Sequence, residues 1–204
     1  MEQVSDTRLK IMEAARFLFA EQSFEGTSVR DIAKEAGVNV ASLNYHFSSK
    51  EKLFDEIIHM GYLECSENLR VFYELNHPNL EETLIYLFKY FINKSHDLLS
   101  YFKMMMSPQH NQRVSSQGTP DAPFGPPGGA VIVEAIKKEV GGDLLERDLH
   151  WALKSLFGHV VHMAIMHECC FKKNELPYSS QDDLESNIRK LCQVVIKELR
   201  TSSD

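Results

Sequence analysis

The first 107 residues contain a single proline, Pro78, and only three glycines, at 26, 37 and 61. Through that stretch apolar residues recur at steps of three and four rather than two, the period of amphipathic helices and not of strands. Ile11, Ala15, Leu18 and Phe19 form one apolar stripe, with Glu13, Arg16 and Glu21 opposite it. This predicts a first helix of about four turns at ~3.6 residues per turn, ending around Gln22-Ser23-Phe24-Glu25-Gly26. Ser28-Val29-Arg30-Asp31 is a capping-box pattern ahead of Ile32, Ala33 and Ala36, so a second, short helix follows. Ala36-Gly37-Val38-Asn39 then supplies a glycine able to take positive φ and an asparagine suited to cap the next helix. That third helix runs only from about Val40 to Tyr45 or Phe47, because Ser48-Ser49-Lys50-Glu51 opens another. So short a helix does not hold itself in water. Packing must fix it, with Val38, Leu43 and Phe47 inward and Ser42, Asn44, Tyr45 and His46 left outside.

From Lys50 to about Asn76 the helical step continues through Leu53, Ile57, Met60 and Leu63, giving a rod about 40 Å long at ~1.5 Å per residue. It is long enough to join two modules. His77-Pro78-Asn79 breaks it. Leu80 to Met106 reads as one further helix, apolar on nearly every side through Leu84-Ile85-Tyr86-Leu87-Phe88 and Tyr90-Phe91-Ile92, as befits the middle of a core. Ser107 to Gly129 is rich in proline and glycine and is expected to be a mobile loop over 107–129, either a disordered insertion or a lid. Helices resume at Val131 to Val140, Leu144 to about Phe171 and Ser180 to Arg200. The expected fold class is all-α.

Composition narrows the functional classes. Apolar residues make up 43% and charged residues 25%, close to globular averages, and no run approaches the eighteen apolar residues of a membrane span. No membrane partner is expected, and the polar, acidic start Met1-Glu2-Gln3-Val4-Ser5-Asp6 is unlike a signal peptide, so a cytoplasmic location is expected. Cys65, Cys169, Cys170 and Cys192 form no CxxC pair and no disulfide framework, which predicts no structural metal. The net charge of −7 argues against indiscriminate binding to nucleic acid while leaving room for a local basic surface. The chain has no Gly-rich phosphate loop, nucleophile elbow or HExxH. Asp143 with Glu146, and Asp182 with Asp183, read as helix-start charges. Neither an enzyme nor a cofactor is expected.

A compact three-helix unit whose short third helix follows an Ala-Gly-Val turn is the helix-turn-helix arrangement, in which the second helix braces and the third faces a major groove. Ser42 and Asn44 can bond base edges, and Tyr45 and His46 can reach phosphates or a thymine methyl. Asn39, Val40 and Ala41, at the start of the same helix, complete the expected DNA-facing set. Ser28 and Arg30 sit at one helix N-terminus and Lys50 at another, where positive dipole ends and cations meet phosphates.

These residues, ordered as Ile11-x3-Ala15-x2-Leu18-Phe19, Phe24-Glu25-Gly26-Thr27-Ser28-Val29, Ile32-Ala33-x2-Ala36-Gly37-Val38 and Leu43-Asn44-Tyr45-His46-Phe47-x2-Lys50-Glu51-x-Leu53-Phe54, resemble the N-terminal domain of the tetracycline-repressor (TetR) family of bacterial transcription regulators. Two positions depart from the pattern. Ser23 stands where the family usually has glycine, which should strain the turn. Ala41 stands where glycine is frequent, which alters the base-facing surface.

The resemblance implies a helix-turn-helix domain over 1–52 and a helical ligand-binding and dimerisation domain over 53–204. It also implies a homodimer on a palindromic operator of double-stranded DNA, acting as a repressor that a small-molecule effector releases. Leu149, Ala152, Leu156 and Met163, with Leu184, Ile188, Leu191 and Val195, form apolar seams on two late helices. They suit a four-helix interface between two copies, or an intramolecular pair of core helices. Phe88, Phe91, Tyr101, Phe102, Met105 and Trp151 are candidates to line an apolar or aromatic effector's pocket, with His96, His159 or His162 as polar anchors, ordinary core being the alternative for each apolar residue. The segment His159 to Cys170 also carries imidazoles and thiols, so a metal- or thiol-based redox sensor is the rival functional reading.

Overall fold

In a computed structural model of the chain, residues 6–108, 125–171 and 180–201 are described, and all the regular structure among them is helical. The helices are α1 (Asp6–Gly26), α2 (Val29–Glu35), α3 (Val40–His46), α4 (Lys50–Asn76), α5 (Leu80–Asn93), α6 (Ser95–Met105), α7 (Gly129–Val140), α8 (Glu146–Met166) and α9 (Gln181–Thr201). A single π-helical turn, His167–Phe171, extends α8. No described helix is long and apolar enough to cross a membrane. Most of the 107–129 stretch expected to be a mobile loop lies outside the described residues.

The chain divides into two compact units. One comprises residues 1–62 with 97–120, the other 63–96 with 121–204. The division falls within α4, ten residues beyond the 52/53 boundary expected from the motif, because Ile57 is built into the first unit's core. That core gathers Ile11, Ala15, Leu18 and Phe19 of α1, Ile32 and Ala33 of α2, Leu43 of α3, and Leu53, Phe54 and Ile57 of α4. Phe19, Phe24 and Phe54 meet in a triangle with ring centroids 5.4–5.5 Å apart, two of the three contacts edge-on. Met104 of α6 belongs to the same core, and the Tyr101 ring lies where a side chain at Gly61 would have to stand, 2.5 Å from an added Cβ. In the second unit α5 packs against α7, α8 and α9, and those three pack against one another. Leu80, Leu84, Leu87 and Phe88 are fully enclosed there, as the all-round apolar character of α5 requires.

One sequence expectation needs correction. Leu80 to Met106 is two helices, separated at Lys94, whose φ of −115° and ψ of 31° leave the helical region. No proline or glycine marks the break because none is needed. The Lys94 N–H still reaches the carbonyls of Tyr90 and Phe91, both at 3.2 Å, so no backbone donor is stranded.

Candidate nucleic-acid interface

The site is built from the turn between α2 and α3. Ser28 caps α2 by accepting from the Asp31 N–H, while the Asp31 carboxylate accepts from the Ser28 N–H at 3.0 Å, the reciprocal pair foreseen in the sequence. The bonds from the Ser28 hydroxyl and backbone hold the Asp31 carboxyl below its usual range. At the other end of α2, Gly37 takes φ +66°, its N–H bonds to the Lys34 carbonyl at 3.2 Å, and Val38 N–H returns to the Ala33 carbonyl at 2.9 Å. This is a Schellman motif, with Val38 as the apolar residue that closes it against the core. The chain therefore leaves α2 in a fixed direction, and Asn39 caps α3 by accepting from the Ser42 N–H at 2.7 Å.

With seven residues, α3 depends on its contacts. Leu43 is completely buried and Phe47 nearly so. The Arg8 guanidinium lies over the Phe47 ring at 4.8 Å and pairs with Glu56, so α1 and α4 together lock the inner side of α3. The opposite side is open. Tyr45 is 85% exposed, Val40, Ala41 and Asn44 are exposed, and Ser42 and His46 are half-buried on either flank. Tyr45 touches its neighbour His46 edge-on, ring centroids 5.2 Å apart. Leu43 and Phe47 lie inward and Asn44 and Tyr45 outward as the sequence pattern assigns, while Ser42 and His46, expected outside, are half-buried, and Val38 is only partly buried.

The structure gives three expected contact residues other tasks. Lys50 Nζ donates to the carbonyls of Phe24 at 2.7 Å and Thr27 at 2.9 Å and sits 4.1 Å from the Phe24 ring centroid. It ties α4 to the α1–α2 turn instead of reaching outward to a phosphate, because the turn leaves those carbonyls without helical partners. The Ser28 hydroxyl is engaged with Asp31, and the Asn39 amide oxygen with the Ser42 N–H. Arg30 is exposed, and so are Lys34, in the last turn of α2, and Lys52, in the first turn of α4, two cations outside the expected set. Ser49, one residue later than the first serine of the expected cap, accepts from Lys52 N–H at 3.2 Å and opens α4.

The second unit's expected residues fare differently. Leu149, Ala152, Leu156, Leu184, Ile188 and Val195 are all buried within the single chain, and only Met163 and Leu191 are partly exposed. The seam between α8 and α9 is thus an intramolecular one, and those six residues are not available to a second copy. Phe88 and Phe91 are core, Phe91 meeting Phe157 edge-on at 6.1 Å. Trp151 and His162 face solvent, and Phe102 and Met105 are 37% exposed in the first unit. Tyr101 is held in that first unit by Gly61 and by the Arg16 guanidinium, 5.7 Å from its ring centroid. His159 is half-buried, with Nε2 enclosed and unbonded; burial and the neighbouring His162 lower its pKa. Two surface concavities of about 320 and 380 Å³ lie elsewhere, the first lined by His77, Pro78, Asn79, Ala135, Lys138 and Glu139, the second by Glu139, Gln193, Ile196, Lys197, Arg200 and Thr201.

Among the described residues no three of His, Cys, Asp and Glu gather to hold a metal. Burial pushes the Cys65 and Cys192 thiols up to about 12, which keeps both as unreactive thiols, and Cys169 is exposed. The Cys170 and His96 side chains lie outside the described residues.

Comparison with known proteins agrees with the geometry of the first unit. Residues 11–57 match the family model described as bacterial regulatory proteins, tetR family. The "Probable HTH-type transcriptional regulator YttP" of Bacillus subtilis (strain 168) is 36% identical over 108 residues, 52% of this chain and 45% of the relative. The HTH-type transcriptional repressor KstR2 of Mycobacterium tuberculosis is 44% identical over 62 residues, 30% of each chain. The matches thus span about half or less of these relatives' length. Two solved structures share the fold across nearly the whole chain. The fatty acid degradation regulator FadR from Bacillus halodurans gives a TM-score of 0.66 at 18% identity, covering 98% of this chain and 99% of its own. A TetR-family transcription regulator from Marinobacter aquaeolei VT8 gives 0.65 at 18%, covering 91% and 93%. The helix-turn-helix of α2 and α3, matched in sequence over residues 11–57 and built as the motif requires, marks that part of the chain as the domain described as bacterial regulatory proteins, tetR family.

Proposed function

We propose that the chain is a homodimeric repressor that binds a palindromic operator through paired α3 helices and is released by a small apolar effector held in the second unit. The observation that carries the DNA-binding half is the division of α3 and its C-cap into Leu43 and Phe47, closed into the core, and Ala41, Asn44 and Tyr45, turned to solvent. A rigid mount with a chemically varied outer face is what a base-reading helix needs.

Dimerisation is assigned to the outer faces of α8 and α9, the inner faces being occupied. On α8 the partly or fully exposed residues Trp151, Ser155, Gly158, His162 and Ile165 recur at steps of four and three, and nothing stands within 4 Å of an added Cβ at Gly158. On α9 the partly exposed Leu191 and the 63% exposed Val194 continue an apolar face that its own chain leaves uncovered. A pairing of two such helices from each copy gives a two-fold interface and therefore a two-fold operator.

Release works through differential affinity. If the free dimer holds its α3 helices at the operator's spacing, an effector preferring another arrangement of the second unit depletes that state. Each kcal/mol of preference changes occupancy about fivefold, and near-complete release takes about 5.5 kcal/mol. α4, which passes from one unit to the other without a break, is the element assigned to carry the change.

Selection of bound sequences from random duplex DNA by the full chain tests the reading. An inverted repeat with half-sites about one helical turn or more apart is expected, and an asymmetric consensus overturns the dimer. Replacing Asn44 and Tyr45 together by alanine is expected to abolish that binding while leaving the chain folded by circular dichroism.

A further inference from the structure

We infer that the outer face of α3 selects adenine·thymine pairs, Ala41 meeting a thymine methyl and Asn44 the major-groove edge of an adenine. The inference rests on the DNA-binding reading above and specifies what that surface reads. Guanine is recognised in the major groove by two parallel donors on its O6 and N7, which arginine or lysine supplies, and the cytosine amino group by a carboxylate. α3, Val40 to His46, contains no arginine, lysine, glutamine, aspartate or glutamate. Lys50, the nearest cation beyond its C-terminus, has its ammonium on the Phe24 and Thr27 carbonyls.

What the exposed face offers is apolar surface, one amide and the Tyr45 hydroxyl, with Ser42 and His46 half-buried at its flanks. Val40 is 37% exposed and Tyr45 85%, with Ala41 and Asn44 exposed beside them. These four make an open surface on which a bare methyl at position 41 stands between larger neighbours. Apolar side chains find one apolar partner on a base edge, the 5-methyl of thymine, and an asparagine amide matches the N7 acceptor and N6 donor of adenine in a single bidentate pair. The exposed Tyr45 ring supplies a second methyl contact.

The test uses the full chain and the half-site obtained by selection. Thymine-to-uracil replacement, one position at a time, removes a single methyl. At least one position should weaken binding about fourfold, the worth of one buried methyl, and Ala41→Gly should erase that penalty. At an adenine in the half-site, 7-deazaadenine should weaken the unaltered chain about tenfold, within the range of one bidentate pair, and leave Asn44→Ala indifferent. A half-site core of successive guanines, or uracil tolerated at every thymine, overturns the inference while leaving the chain a DNA-binding protein. Failure to enrich any sequence overturns the DNA-binding reading itself, and this inference with it.

Discussion

In the first unit α3 turns Leu43 to the core and Val40, Ala41, Asn44 and Tyr45 to solvent, with Ser42 and His46 half-buried between them, whereas in the second unit the apolar seams of α8 and α9, which in sequence suit a dimer or a core equally, are closed within the chain. The difference lies in how much apolar surface each helix carries. α3 has only Leu43 as its fully buried residue, with Phe47 just beyond, so Val40, Ala41, Asn44 and Tyr45 are left to solvent and Ser42 and His46 to the flanks. α5 buries residues on nearly every side, and α8 and α9 each bury a stripe against it while keeping further apolar residues, Trp151 and Val194 among them, outside. A sparse pattern assigns direction, and a saturated one does not.

The largest expected effect separates the two sides of α3. Phe47→Ala should cost about 3–5 kcal/mol of stability, the usual penalty for emptying a buried aromatic site. Tyr45→Ala, at a residue already 85% exposed, should stay within about 0.5 kcal/mol and yet weaken operator binding. Denaturant unfolding beside DNA titration measures both. Equal stability losses would mean that α3 does not sit as described.

In the second unit the corresponding pair is Leu156 and Val194. Leu156→Ala should cost about 2–5 kcal/mol, because the site is enclosed on all sides. Val194→Asp should leave the fold of one copy intact within about 0.5 kcal/mol and shift sedimentation from dimer to monomer. If instead Leu156→Ala dissociates the chain and Val194→Asp does nothing, the buried seam lies between copies after all.

How much of this was readable from sequence follows the same division. The capping box at Ser28, the positive φ of Gly37, the cap at Asn39 and the inward Leu43 and Phe47 are all fixed by interactions within a few residues, which residue spacing records. The bonds of Lys50 are not legible in residue spacing because its partners, the Phe24 and Thr27 carbonyls, are more than twenty residues away, and a cation beside a helix N-terminus looks the same whether it serves a phosphate or a turn. The six expected interface residues other than Met163 and Leu191 are core, which spacing leaves open for a related reason. Apolar periodicity reports that a face is buried, not by what, so Leu149 and Leu184 fit a dimer seam and a core seam equally. The break at Lys94 escaped because it strands no backbone group.

Polar groups inside the second unit's helices give a smaller, pH-dependent effect that the solvated outer face of α3 does not share. Glu185 is buried against α5, bonded by Gln181 Nε2 at 3.0 Å and paired with Lys89 at 3.2 Å and Arg189 at 3.5 Å. Burial pushes its carboxyl up, but the bonds from Gln181 and Lys89 and the charges of Lys89 and Arg189 outweigh that and leave it below its usual range. A depressed folded-state pKa stabilises the fold above the unfolded value of about 4.3, and the contribution is lost as pH falls through the folded value. Glu185→Gln should therefore cost roughly 1–3 kcal/mol at neutral pH, with the gap closing in acid. His159 acts at higher pH. Burial and His162 lower its pKa, so stability declines as pH falls below the unfolded value of about 6.5 toward the folded one, a limb that His159→Phe should remove.

The smallest effect returns to the first unit, at the one place where its local chemistry works against itself. Ser23 interrupts α1 at φ 67° and ψ 169°, a region in which only glycine rests without strain. Its hydroxyl offers partial compensation, accepting from the Gly26 N–H at a long 3.3 Å, while its carbonyl takes the Thr27 hydroxyl at 2.8 Å. Glycine would keep the carbonyl bond, lose the weak hydroxyl bond and remove a steric cost of order 1–3 kcal/mol, offset in part by greater freedom in the unfolded chain. Ser23→Gly should then stabilise by about 1 kcal/mol, raising the midpoint by roughly 2–4 °C for a chain of this size. Ser23→Ala keeps the strain and loses the bond, so the expected order of thermal midpoints is glycine, serine, alanine. Should serine come out above glycine, the Gly26 bond is stronger than its length suggests. The turn that positions Phe24 under Lys50 would then be held by the residue that departs from the family pattern, not merely tolerated in spite of it.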